Sequence, residues 1–98
     1  MPNKNYIKGR ALEYKVVKKK LEEGAILAVR TAGSHGPCDV IAVFDDHIEL
    51  IQCKNQKATK EEWSKISDFA SSLTFDVIVY MCEKINHKIC FTSIQNLY

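Results

Sequence analysis

Two runs of β-forming residues separated by only two turn residues constrain this chain more than any other feature. Pro37-Cys-Asp-Val-Ile-Ala-Val-Phe44 and His47-Ile-Glu-Leu-Ile-Gln-Cys-Lys54 both read as strands, with Asp45-Asp46 as the turn between them. A connection that short predicts an antiparallel hairpin and also sets its register. Phe44 pairs with His47, Val43 with Ile48 and Ile41 with Leu50, so that Asp39 lies opposite Gln52. A longer loop taking in His47 would shift the pairing and move Gln52 away from Asp39. Side-chain alternation then places Asp39, Ile41, Val43, Ile48, Leu50, Gln52 and Lys54 on one face. Val40, Ala42, Phe44, His47, Glu49, Ile51 and Cys53 fall on the other. Both faces are largely apolar, which predicts a sheet covered on both sides.

The exceptions on the first face lie together at one end. Asp39 supplies a carboxylate, Gln52 a neutral oxygen donor and Lys54 an ammonium. Such a set can hold a divalent cation and a phosphodiester side by side, which is the chemistry of a nuclease site. The plainer alternative is a structural α/β domain in which Asp39 and Lys54 form a surface ion pair.

A helix is predicted from about Tyr6 to Glu23. Projected at 100° per residue, Leu12, Tyr14, Val16, Val17 and Leu21 form an apolar stripe, opposite Lys8, Lys15, Lys18, Lys19 and Glu22. Glu13 falls in the middle of that stripe. A carboxylate there needs a partner, because burying an unpaired charge costs several kcal/mol. Arg10 or Lys20 on the same helix, Lys54, or a metal ion could serve. Gly9 would let the helix approach another backbone closely. Seven of the fourteen Lys and Arg residues lie between Met1 and Lys20, with Glu13 as the only acid there. A helix so basic could contact phosphates, or could simply be solvated.

Ala25 to Thr31 reads as a first strand, ended by the loop Ala32-Gly-Ser-His-Gly-Pro37 that leads into Asp39. No Gly-Lys-Ser/Thr follows at P-loop spacing. Ser34 and His35 could hydrogen-bond a phosphate there, although a lone loop histidine is more often merely exposed. After the polar linker Asn55-Gln-Lys-Ala58, Thr59-Lys-Glu-Glu62 matches a capping box. Trp63, Ile66, Phe69, Ala70 and Leu73 then recur at helical spacing and predict core packing. Asp76 to Met81 and His87 to Thr92 supply two more strands, with a turn around Glu83-Lys-Ile-Asn86. The order α-β-β-β-α-β-β predicts an α/β fold: a mixed sheet of about five strands with a helix on each face. The strand-helix-strand crossover after Lys54 should be right-handed and make its two strands parallel.

A chain of 98 residues supports one domain spanning residues 1–98. With 46% hydrophobic and 27% charged residues, neither disorder nor a coiled coil is indicated. No apolar run approaches the length of a membrane span or signal-peptide core, so a soluble, cytoplasmic protein is expected. Cys38, Cys53, Cys82 and Cys90 contain no CxxC pair, and buried reduced thiols are expected over zinc ligands or disulfides. Ile94, Leu97 and Tyr98 could meet a partner or complete the core.

The order Glu13, then Asp39 after a Gly-Ser-containing loop, then Gln52-Cys53-Lys54 at the end of the next strand resembles the PD-(D/E)XK nuclease superfamily. Lys8-Gly-Arg-Ala-Leu-Glu13 and Arg30-Thr-Ala-Gly-Ser34 look most like archaeal-type Holliday-junction resolvases, with similarity from about Lys8 to Lys65. The resemblance implies a restriction-endonuclease-like fold and a Mg²⁺- or Mn²⁺-dependent endodeoxyribonuclease. It implies that Asp39 binds the metal, completed by Gln52 and the Cys53 backbone carbonyl, with Glu13 as a metal-linked acid. Lys54 would orient the attacking water or stabilise developing charge, and Ser34 would lie near the scissile phosphate. Lys8, Arg10, Arg30, Ser34 and His35 would contact DNA, and a homodimer would suit a four-way junction. The family usually has a carboxylate at the position of Gln52. An amide oxygen can coordinate a hard cation, but it removes one negative charge and weakens metal affinity. The alternative function is a nuclease-fold nucleic-acid-binding module that has lost catalysis.

Overall fold

A computed structural model of the chain describes residues 4–31 and 36–94, with side chains described from Gly9 onward. Helix α1 spans Lys4–Glu22, followed by β1 (Leu27–Arg30), β2 (Val40–Val43) and β3 (Ile48–Lys54). Helix α2 spans Lys60–Ser72, and β4 (Ile78–Ile85) and β5 (Lys88–Ile94) complete the order expected from the sequence. The five strands form one sheet in the order β1-β2-β3-β4-β5. Only β3 and β4, joined through α2, run parallel; the other neighbours are antiparallel.

The β2–β3 hairpin adopts the register set by its short turn. Val43 pairs with Ile48 and Ile41 with Leu50. The Phe44 N–H donates to the His47 carbonyl at 2.8 Å, and beyond the strand proper the Asp39 N–H donates to the Ile51 carbonyl at 2.7 Å. Both faces are covered, as the alternation requires. On one, Leu12 and Val16 of α1 pack against Val40, Ile51 and Cys82, with Cys53, Tyr80 and Phe91 around them. On the other, Ile66 and Ala70 of α2 pack against Val79 and Met81, with Leu50, Trp63 and Phe69 adjoining. Leu12 and Ile51 are fully buried, so truncating Leu12 to alanine should cost about 2–5 kcal/mol.

The buried stripe of α1 differs from its helical projection. Tyr14 and Leu21 are about half exposed, whereas Lys20 is buried. Its ammonium lies 2.8 Å from Glu49 Oε1 and over the rings of Tyr80 and Phe91, at 5.1 and 4.5 Å. A long side chain ending in a cation can thus replace a leucine on the core face when a carboxylate and aromatic faces receive it. Gly9 makes no close backbone approach: a Cβ there would meet only the Asn55 amide nitrogen, at 4.0 Å.

Helix α2 begins with the expected capping box. Thr59 Oγ1 accepts from the Glu62 N–H, and Glu62 Oε1 accepts from the Thr59 N–H. The last hairpin turns later than expected. β4 continues through Glu83 and Lys84 to Ile85, and the turn is Asn86-His87, both at positive φ (50° and 66°). The polar run failed to end the strand because Glu83 points inward, where its Oε2 accepts from the Ala58 N–H at 2.6 Å. Of the four cysteines, all free, Cys82 is buried but Cys90 is exposed, against the expectation of buried thiols. Ile94 packs against the α2-side core, while Leu97 and Tyr98 lie outside the described residues.

Candidate functional site

The start of β2 and the end of β3 meet at one edge of the fold, where Asp39 Oδ2 accepts a 2.9 Å hydrogen bond from the backbone N–H of Cys53. That bond fastens the carboxylate between Gln52 and Lys54 on the adjoining strand. Burial pushes the Asp39 carboxyl above its ordinary range, and nearby Glu13 adds to the rise. The Cys53 N–H, Lys54 and Arg30 act in the opposite direction. A half-buried carboxylate that is costly to ionise is one that gains from a cation beside it.

Gln52 and Lys54 share the α2 side of the sheet. They open onto a cavity of about 160 Å³ lined also by Pro37, Glu62, Lys65 and Ile66. Lys54 forms an ion pair with Glu62 Oε2 and not with Asp39, which removes the plain alternative of an Asp39–Lys54 surface pair. Lys54 holds the Glu62 carboxyl below its usual range, aided by the Thr59 N–H. Glu62 is the residue that sequence reasoning missed at this site. Its capping-box position explained it locally, and only the packing of α2 against β3 brings its second oxygen to Lys54.

Glu13 lies on the α1 side. Its Oε1 accepts from Arg30 Nε at 2.9 Å, with the side chains 18% and 26% exposed, so it pairs with Arg30 on β1, while Lys20 and Lys54 pair with Glu49 and Glu62 instead. Arg30 also donates to the Tyr14 hydroxyl at 3.2 Å and stacks over its ring at 4.6 Å, while Arg10 stands 5.8 Å from the same ring. Arg10, first, and Arg30 draw the Tyr14 phenol below its usual range. Tyr14 therefore joins two arginines at the surface instead of the core, a role signalled only by its position four residues after Arg10. Ser34, His35 and the Lys8 side chain lie outside the described residues.

The donors fit a hard divalent cation in kind. Asp39 Oδ1 has no hydrogen-bond partner among the described residues, and the Gln52 amide and Cys53 carbonyl offer neutral oxygens beside it. No group of three or more His, Cys, Asp or Glu able to hold a metal ion occurs among the described residues, so such a cation would be weakly charge-balanced by this set. The half-buried Cys53 thiol is pushed upward by its neighbour Cys82 and by burial, which leaves the backbone of Cys53 as its useful part.

No protein-family model matches the chain, and no curated protein matches it. A solved structure does: Hjc of Archaeoglobus fulgidus, a Holliday junction resolvase from an archaeal hyperthermophile. The TM-score is 0.65 at 23% identity, covering 86% of this chain and 74% of that one. At that identity the likeness shows the fold, which is the restriction-endonuclease-like α/β arrangement expected from the sequence. No helix among the described residues is long and apolar enough to cross a membrane.

Proposed function

We propose that this chain is a metal-dependent DNA endonuclease of the PD-(D/E)XK type, acting as a homodimer on branched DNA such as a four-way junction. The observation that carries this reading is the fastening of Asp39 to the Cys53 N–H, which sets a destabilised carboxylate beside Gln52 and Lys54. The fold likeness to a Holliday junction resolvase supports it.

Asp39, Gln52 and the Cys53 carbonyl would hold Mg²⁺ or Mn²⁺, with Glu13 as an acid linked to the site. When bound, such an ion neutralises phosphate charge and lowers the pKa of coordinated water. Lys54 directs its ammonium at the phosphoryl oxygens, where charge builds as water attacks, and orients that water. To do so it must leave Glu62, so substrate phosphate competes with a carboxylate for one cation. Lys8, Arg10, Arg30, Ser34 and His35 would contact the DNA backbone around the cut. Two-fold symmetry of a junction calls for two symmetric cuts, hence a C2 dimer.

Incubation with linear duplex, single-stranded and four-way-junction DNA in Mg²⁺ or Mn²⁺, with EDTA as control, tests both the activity and the preference. Cleavage that vanishes in EDTA and favours the junction is expected. A second reading, a DNA-binding module without catalysis, is favoured by Gln52 in place of a carboxylate and by the absence of a three-ligand cluster among the described residues. The same assay separates the two, since that module would bind junctions and cut none.

A further inference from the structure

Asn55 directly follows Lys54, and on the α1 side of the sheet a second cavity, of about 450 Å³, opens beside it. It is lined by Ala11 of α1, Asn55, Lys84 of β4, and Asn86 and His87 of the β4–β5 turn. The strand register places it at the same edge as the candidate site, because Lys54 pairs with Glu83 and Lys84 is the next residue of β4. The two residues part across the sheet. Glu83 turns toward the α2 side and is consumed by the Ala58 N–H, so it does not neutralise its neighbour. Among the described residues, no carboxylate lines this cavity. Asn55, Lys84, Asn86 and His87 make no side-chain hydrogen bond or ion pair among the described residues. Four polar side chains thus converge on one groove with their donors uncommitted, one of them an ammonium.

Such a set has a definite chemical complement. An ammonium, two carboxamides and an imidazole are donors used for phosphate oxygens, and the sequence-independent part of nucleic-acid binding comes from such contacts. The left-handed backbone of Asn86 and His87 makes a tight turn that holds both side chains at the tip of the hairpin, over the groove. We infer that this groove binds the phosphodiester backbone of a DNA strand, continuing on the α1 side the path of the strand engaged at Lys54. The inference rests on the nuclease reading for the identity of the ligand. It assigns DNA contact to the last hairpin, beyond the contacts on α1, Arg30 and the loop before Asp39 that the family resemblance implies.

The test is a fluorescence-anisotropy titration of a four-way junction and a linear duplex at several salt concentrations, in EDTA so that binding is separated from cutting. Lys84→Ala with His87→Ala should weaken binding roughly fivefold and flatten the log-affinity against log-salt slope by about one for the lost lysine contact. Lys84→Gln, which keeps the stem of the side chain, should do the same, so a folding defect cannot produce the result. Lys60→Ala, on the exposed start of α2, should bind as wild type. Cleavage at saturating DNA should stay at the wild-type rate in all of them. Wild-type affinity and slope in the Lys84 variants, with wild-type protein cutting normally, would overturn the groove and leave the nuclease reading intact. Weakened binding in those variants, with wild-type protein that never cuts, would support the groove and defeat the nuclease reading. A wild-type protein that binds neither DNA overturns both.

Discussion

The carboxylate of Asp39 is held by the backbone N–H of Cys53 at 2.9 Å, so the acid that precedes one strand is positioned by the residue next to Lys54 on the other. Asparagine at position 39 keeps an oxygen for that N–H and removes a charge that burial makes costly.

The sign of the stability effect follows from the direction of the shift. The folded-state pKa of Asp39 is raised above the usual value of 3.8, so the folded form loses stability as pH rises from that value through the raised one. Above the raised value the full cost is present. Asp39→Asn should therefore melt at or above the wild-type temperature, followed by circular dichroism, while losing cleavage. A melting temperature several degrees lower would mean that the carboxylate serves the fold and not the chemistry.

Glu13 and Arg30 form the second pair of interest. Glu13→Gln keeps an acceptor for Arg30 Nε but replaces an ion pair by a hydrogen bond to a neutral amide, a loss of about 1 kcal/mol, or roughly 4–8 °C in a domain of this size. Cleavage should fall far more than stability does. Unfolding at much lower temperature, with turnover per folded molecule preserved, would limit Glu13 to pairing with Arg30.

Removing the competitor for Lys54 should act in the opposite direction. Glu62→Gln retains the capping-box geometry, since glutamine serves at that position, and frees the ammonium from its ion pair. Junction DNA should bind a few-fold more tightly at low salt, and the gain should shrink as salt rises. Weaker binding by this variant would show that Glu62 positions Lys54 for phosphate and does not compete with it.

At the far end of the hairpin, His47 lies between Glu49 Oε2 at 2.7 Å and Asp46 Oδ1 at 2.6 Å, stacked on Phe44. Glu49, first, and Asp46 raise its pKa above 6.5. The stabilisation from protonated His47 is complete below about pH 6.5 and is lost as pH rises through the folded-state value. Urea unfolding of wild type and His47→Gln should show a stability difference that is larger at pH 6 than at pH 9. A difference that grows with pH would contradict the charged state assigned to His47.

The sequence disclosed the hairpin register because a two-residue turn admits few pairings, and it disclosed the α2 capping box because that motif is local. It also gave the parallel pairing of β3 with β4, which the crossover helix imposes. Contacts between distant segments were illegible. Arg30 meets Glu13 across seventeen residues, and Glu62 meets Lys54 only once α2 lies against the sheet. Helical projection left Lys20 out of the apolar stripe and offered it only as a partner for Glu13, yet Glu49, Tyr80 and Phe91 together receive it in the core. The last turn was expected around Glu83-Lys-Ile-Asn86 from its polarity, while the residues at positive φ are Asn86 and His87.

The most direct measurement is cleavage of an end-labelled four-way junction in Mg²⁺ by the wild-type protein, run beside Lys54→Ala at equal folded concentration. The account predicts symmetric nicks with wild type and intact DNA with Lys54→Ala, although that variant still binds the junction. Intact DNA with the wild type in both Mg²⁺ and Mn²⁺, or equal cutting by the two proteins, would contradict it.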